Sequence, residues 1–120
     1  MFDFEKLDVY LKAKKFNKSV FIFLSTSKVD KVTKDQLRRA SFSIMLNIAE
    51  GSGRFTKPDK RNFYVIARGS AFECVAIFDY LKDLEMISDS AFKQYYSFLE
   101  EISKMLFAMI KRLSKEKKQF

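Results

Sequence analysis

The stretch TKDQLRRASFSIMLNIAEGSG, Thr33 to Gly53, decides the fold. Leu37, Ser41, Ile44 and Ile48 recur at spacings of three and four, which puts them on one face of an α-helix rather than on one side of a strand. Thr33-Lys34-Asp35-Gln36 has the Thr-x-x-Gln form of a capping box, in which the two side chains satisfy the first free backbone amides. The helix is therefore expected to begin at Thr33. Gly51 and Gly53 are expected to end it, because glycine accepts the left-handed backbone that a helix C-terminus often needs.

The same reading extends to both sides. Val9, Ala13, Phe16, Val20 and Phe23 make a helical stripe, with Lys12, Lys14, Lys15 and Lys18 off it, so a first helix is expected from Phe4 to Ser25. Downstream, Thr56 and Pro58 suit a helix start, since proline lacks only an amide that would have no partner there. Phe63, Ala67, Ser70, Cys74, Ile77, Leu81 and Leu84 continue that third helix. Ser88 is the expected cap of a fourth, which carries Phe92, Tyr95, Leu99, Ile102, Leu106, Met109 and Leu113. Residues 115–120 are expected to fray. The rows keep close to a seven-residue period and the connections are short. The expected fold is all-α, an antiparallel up-down-up-down four-helix bundle forming a single domain over residues 1–120.

Composition agrees. The chain is 48% apolar and has 14 Phe, so it can bury a core, while three Gly and one Pro are too few for the turns of an all-β fold. Glu5, Lys6 and Asp8 interrupt any leader-like apolar run, and no stretch approaches the roughly 20 apolar residues of a membrane span. One cysteine, Cys74, has no partner for an internal disulfide, which points to the cytoplasm.

The two middle helices carry more apolar surface than one core uses. Phe42, Met45 and Ala49, with Leu46 nearby, make a second row on the second helix. Phe72, Val75 and Ala76, with Phe78, do so on the third. A helix apolar around most of its girth needs two neighbours, so these residues are expected to form an interface between copies of the chain.

The net charge is +8, unevenly spread. Residues 31–70 hold nine Lys or Arg against three acids, and residues 71–100 hold two against six. Arg54, Lys57, Lys60 and Arg61 gather about the start of the third helix with Phe55 among them, and Arg38 and Arg39 are expected to extend the group. Cations near free helix amides suit phosphate, and an aromatic suits stacking on an unpaired base. The alternative is a solvated loop, with Phe55 packed on the end of the bundle.

Catalytic chemistry is poorly represented. Histidine is absent, and a lone cysteine without it fits neither a zinc site nor a Cys-His nucleophile. Cys74 is expected in the core. No metal or cofactor is expected. Gly51-Ser52-Gly53-Arg54 follows a helix and lacks the Gly-Lys-Ser/Thr of a phosphate loop. Glu50 and Glu73 could pair, yet Glu50 shares a helix face with Arg39, Ser43 and Asn47, so a structural polar network that includes Glu73 is the better reading, Asn47 fixing helix register. Gly69-Ser70-Ala71 is expected to allow close helix approach.

Asp35-Gln36-Leu37-Arg38-Arg39-Ala40-Ser41, then Ser43-Ile44 and Asn47-Ile48-Ala49-Glu50-Gly51, resembles a signature of the four-helix-bundle proteins encoded in 23S rRNA intervening sequences. Ala67-Arg68-Gly69-Ser70-Ala71 with Glu73 resembles that family's second signature. The resemblance implies a bacterial bundle that assembles as a ring-shaped homopentamer, in a family without an established catalytic activity. It is similar, more distantly, to the accessory variability protein of diversity-generating retroelements, which implies nucleic acid and a reverse transcriptase as partners. Two functions follow as expectations. One is a non-catalytic, self-assembling basic scaffold that binds RNA or DNA through phosphate contacts. The other is an accessory factor for a nucleic-acid enzyme.

Overall fold

In a computed structural model of the chain, which describes residues 1–114, a 3-10 turn at Asp3–Lys6 leads into four helices. They are α1 (Asp8–Thr26), α2 (Lys31–Ser52), α3 (Lys57–Asp83) and α4 (Asp89–Ser114). The expected fraying of residues 115–120 lies outside the described residues. Each helix packs along the next, and α1 closes more lightly on α4. Cross-helix pairs run in opposite directions along every seam. Ser19 meets Tyr95 and Lys12 meets Glu101 between α1 and α4, while Arg68 meets Ser103 and Arg61 meets Ser114 between α3 and α4. This is the expected antiparallel up-down-up-down four-helix bundle.

Local chemistry sets the ends, though not always at the expected residue. The first α-helix starts at Asp8, not Phe4, because residues 3–6 close a 3-10 turn and Leu7 is extended (φ −80°, ψ 125°). Helix α2 starts at Lys31, two residues before the expected Thr33. Asp30 has an extended backbone, and its carboxylate accepts the Thr33 N–H at 3.1 Å, so Thr33 lies inside the first turn instead of capping it. Thr56 and Ser88 cap α3 and α4 as expected, accepting the N–H of Asp59 at 3.2 Å and of Ala91 at 3.1 Å.

The Asp30 cap has a pH signature. Hydrogen bonds from the Thr33 side chain and then its backbone hold the Asp30 carboxyl below its ordinary value of 3.8. A carboxyl lowered in the folded state stabilises the fold above that ordinary value, and the contribution disappears as pH falls through the folded one. The thermal midpoint should therefore drop below about pH 4, and Asp30→Asn, which keeps an oxygen acceptor, should drop less over the same interval. Parallel melts at pH 3 and pH 6 decide it; identical pH profiles would contradict the cap assignment.

The glycines act differently from the expectation. Helix α2 runs through Gly51 to Ser52, and Gly53 follows with φ −92°, so neither adopts a left-handed backbone. Gly51 is instead a close-approach residue. A Cβ there would stand 2.9 Å from Cβ of Phe63 and 2.9 Å from Cε1 of Tyr64. The Phe63 atom is tied to the backbone of α3, so relief requires moving the helix. Gly51→Ala gains about 1 kcal/mol of helix propensity and loses about 1–3 kcal/mol to overpacking. The expected net result is destabilisation of about 1 kcal/mol in urea unfolding, and a gain in stability would refute the close contact.

The core is built from Val9, Ala13, Phe16, Val20 and Leu24 on α1, the expected row of α2, and Tyr95, Leu99, Ile102 and Leu106 on α4. On α3 the buried row is Tyr64, Ala67, Ala71, Cys74, Phe78 and Leu81. The expected Phe63, Ser70 and Ile77 are only half-buried, and Leu84 is exposed. Both rows share Ala67, Cys74 and Leu81, so sequence period leaves the choice of flank open. Aromatic packing settles it: Phe78 stacks on Tyr95 with centroids 4.4 Å apart, and Phe16 closes edge-on to both. Phe78 is therefore core and not surplus surface.

Candidate functional site

The turn between α2 and α3 presents most of the basic residues singled out above, but it uses several of them internally. The Arg54 guanidinium lies 4.5 Å from the Phe63 ring centroid and 3.4 Å from the Glu50 carboxylate. Lys60 Nζ donates to the Ser52 carbonyl at 2.8 Å, where a lysine satisfies a free carbonyl at the end of α2 and its dipole. Arg61 Nε donates to Ser114 Oγ at 2.6 Å, tying α3 to the end of α4. Lys57 is exposed in the first turn of α3. Phe55 is 100% exposed, which excludes the alternative that it packs on the bundle end.

Arg38 and Arg39 do not join this group. Fifteen residues separate Arg39 from Arg54, and at 1.5 Å per residue most of α2, about 20 Å, lies between them. Arg38 instead stacks over Phe21 of α1 at 4.8 Å, and Arg39 is exposed. The expected patch is thus two separate basic areas.

The four residues read as one polar network also lie apart. Glu73 accepts from Gln36 Nε2, Glu50 pairs with Arg54, and Asn47 Nδ2 donates within its own helix to the Ser43 carbonyl at 2.9 Å and to Ser43 Oγ at 3.0 Å. Arg39 takes no part in these bonds. Ser43 completes the chain to Ser70 across the seam, Oγ to Oγ at 2.8 Å. The polar seam between α2 and α3 therefore runs through Gln36, Ser43, Asn47, Ser70 and Glu73. Ser43 and Asn47 were expected there; Gln36 and Ser70 were the members missed, and the 36, 43, 47 spacing on one side of α2 was the signal for Gln36. Glu73 lies level with Gln36 while Glu50 is 14 residues further along α2, about 21 Å, so the two carboxylates form no pair. Burial, with the Glu73 charge beside it, pushes the Cys74 thiol well above its ordinary range, leaving it neutral and poorly nucleophilic. Among the described residues no three His, Cys, Asp or Glu converge as metal donors. Among them, too, no helix is long and apolar enough to cross a membrane.

The surplus apolar rows face outward on two different sides. On α2, Phe42 and Leu46 are exposed, whereas Met45 and Ala49 are half-buried and Met45 packs on the core. On α3, Phe72 and Ala76 are exposed and Val75 is half-buried. These three line a groove of about 470 Å³ with Phe92 and Tyr96 of α4, edged by Asp79, Glu100 and Lys104. Phe72 also lines the adjoining cleft with Val65, Gly69, Phe107 and Ile110. Arg68 spans the seam, 4.8 Å from the Phe72 centroid and 5.3 Å from that of Phe107. A Cβ on Gly69 would meet nothing within 4 Å, so this glycine serves no close contact inside the chain.

No curated protein matches the chain. Among solved structures, a protein of unknown function from the S23 ribosomal protein family of Bacteroides thetaiotaomicron has the same fold. Its TM-score is 0.81 at 26% identity, covering 86% of this chain and 98% of that one. The family model described as 23S rRNA-intervening sequence protein matches residues 5–108, from the opening 3-10 turn into the last turns of α4, and the chain belongs to that family.

Proposed function

We propose that this chain is a non-catalytic basic scaffold of the bacterial cytoplasm that self-assembles through the outer faces of α2 and α3 and binds RNA or DNA by phosphate contacts. The observation that carries the reading is the apolar surface left outside the bundle: Phe42 and Leu46 on one side, Phe72 and Val65 on the other, each 42–55% exposed. Isolated apolar side chains on a surface need no explanation, but rows along two helices and a groove between α3 and α4 do. Two different faces suit a heterologous contact, in which Phe42, Met45 and Ala49 of one copy meet Phe72, Val75 and Ala76 of the next. Such contacts close into rings when the rotation permits, and the homopentamer implied by the family resemblance is one such ring. A ring repeats the exposed cations and strengthens binding to a polyanion by multivalency. Arg38, Arg39, Arg54, Phe55, Lys57, Lys60 and Arg61 are the contacts proposed from the sequence, and the net charge of +8 supports an anionic partner.

The test has two parts. Sedimentation at micromolar concentration should show a species several times the 14.1 kDa of one chain, and a purely monomeric boundary would end the assembly claim. Filter binding of rRNA fragments and duplex DNA should weaken steeply with salt, and no affinity at low salt would end the nucleic-acid claim. The α3–α4 groove, apolar with charged lips, also favours a second reading in which a protein such as a reverse transcriptase occupies it. Co-purification of such an enzyme after nuclease treatment would select that reading.

A further inference from the structure

From Val9 to Val29 the chain contains no Asp or Glu and five lysines. Four of them, Lys12, Lys14, Lys15 and Lys18, fall on α1 within about 9 Å of helix axis. Lys12 and Lys15 line the seam between α1 and α4, where Lys93 joins them around a groove of about 630 Å³. Ser19, Gln94 and Ser97 border the same groove. Lys14 and Lys18 are exposed elsewhere on α1, outside the groove. One carboxylate intervenes, Glu101, bridged to Lys12 at 3.3 Å. Among the described residues Lys14, Lys15, Lys18 and Lys93 enter no ion pair. The contrast with the α2–α3 turn is direct, since Arg54, Lys60 and Arg61 there are held by Glu50, the Ser52 carbonyl and Ser114.

We propose that the α1–α4 groove is the phosphodiester track, with a strand of RNA or DNA running along α1 under Lys12, Lys15 and Lys93. This rests on the reading that the chain binds nucleic acid, and it moves the main contact from the turn to the opposite seam. The α1–α4 seam lies diagonally across the bundle from the α2–α3 seam, so assembly through the outer faces of α2 and α3 leaves it open. Three cations converging on one groove can neutralise neighbouring phosphates of a strand laid along it. Hydroxyl and amide groups between the cations can bond phosphate and sugar oxygens, which position a strand without reading its bases. A seam recessed between two helices fits a cord-like polyanion better than the flat surface of an anionic bilayer.

The experiment is fluorescence anisotropy of a labelled RNA hairpin and a labelled DNA duplex with the full chain, between about 50 and 200 mM salt. The triple variant Lys12→Gln, Lys15→Gln, Lys93→Gln keeps helix propensity and removes the three groove charges. It should lose at least about tenfold in low-salt affinity and about two units of the log–log salt slope. The corresponding Lys→Arg triple should retain both, which separates lost charge from damaged fold. A Gln triple with wild-type affinity and slope, especially if Arg54→Gln with Lys57→Gln abolishes the slope, overturns the groove while leaving nucleic-acid binding intact. Wild-type protein that binds neither probe overturns the functional reading, and with it the track. Binding to phosphatidylglycerol vesicles without binding to either probe assigns the lysines to a membrane surface and overturns it too.

Discussion

Replacing Phe16 by alanine lowers the stability of the folded chain by about 3–5 kcal/mol, the range found when a fully enclosed phenylalanine is truncated. Phe16 is 0% exposed, and its ring stands 5.8 Å from Phe98, 6.0 Å from Tyr95 and 6.4 Å from Phe78, centroid to centroid. It therefore touches rings from both α3 and α4 while itself projecting from α1. Removing it forfeits the transfer free energy of a whole ring and leaves a cavity that three large neighbours cannot fill without leaving their own packing. Domains of this size are stable by only about 5–15 kcal/mol, so the variant should sit near the edge of folding. Urea unfolding at matched protein concentration measures the loss, because self-association would make stability concentration-dependent. Ile44→Val, also in the core, is the reference and should lose about 0.5–1.5 kcal/mol. A Phe16→Ala loss no larger than that would mean the aromatic cluster is not the centre of the core.

On the proposed assembly, Phe72→Glu is expected to leave only single chains of 14.1 kDa, with unchanged helix content. In one chain Phe72 is 55% exposed and its main contact is the Arg68 guanidinium stacked above it. A glutamate in that place stays near water and near Arg68, so the monomer fold tolerates it. Inside the proposed interface the same carboxylate would be buried among apolar groups, a desolvation cost of several kcal/mol that pairing with Arg68 offsets only in part, against an association resting on apolar contact. Sedimentation paired with far-UV circular dichroism reads both quantities. An assembled Phe72→Glu protein would place the contact elsewhere, and a variant that loses helix content would show Phe72 to be structural. Gly69 sharpens the point. Glycine within a helix is about 1 kcal/mol less favourable than alanine, and nothing inside this chain repays that, whereas a neighbouring copy approaching closely would.

Much of this was legible from residue order because it depends on local chemistry. Helix number, the antiparallel order implied by short loops, the Thr56 and Ser88 caps, and the core rows of α1, α2 and α4 follow from spacing and capping within a few turns, except that α1 closes its row with Leu24 and leaves the expected Phe23 half-buried. The site was less legible. The basic residues were found as a list, yet Arg38 and Arg39 proved to be most of a helix away from Arg54, and Lys60 and Arg61 proved to be tied to Ser52 and Ser114. A side chain's charge is written in the sequence, but whether that charge is free is a property of what comes to lie beside it.

Periodicity by itself determined that four amphipathic rods pack around one core, since burying an apolar stripe is a demand each helix makes alone. Only the tertiary structure decided how α3 is turned. On α3 two rows share Ala67, Cys74 and Leu81, and the aromatic stack of Phe78 on Tyr95 chose between them. Gly51 is glycine because Phe63 and Tyr64 come within reach of it, not because a helix ends there. Where two apolar rows compete, as on α3, rotation about the helix axis changes no local interaction, so nothing within the helix can choose between them; contacts across the seams do.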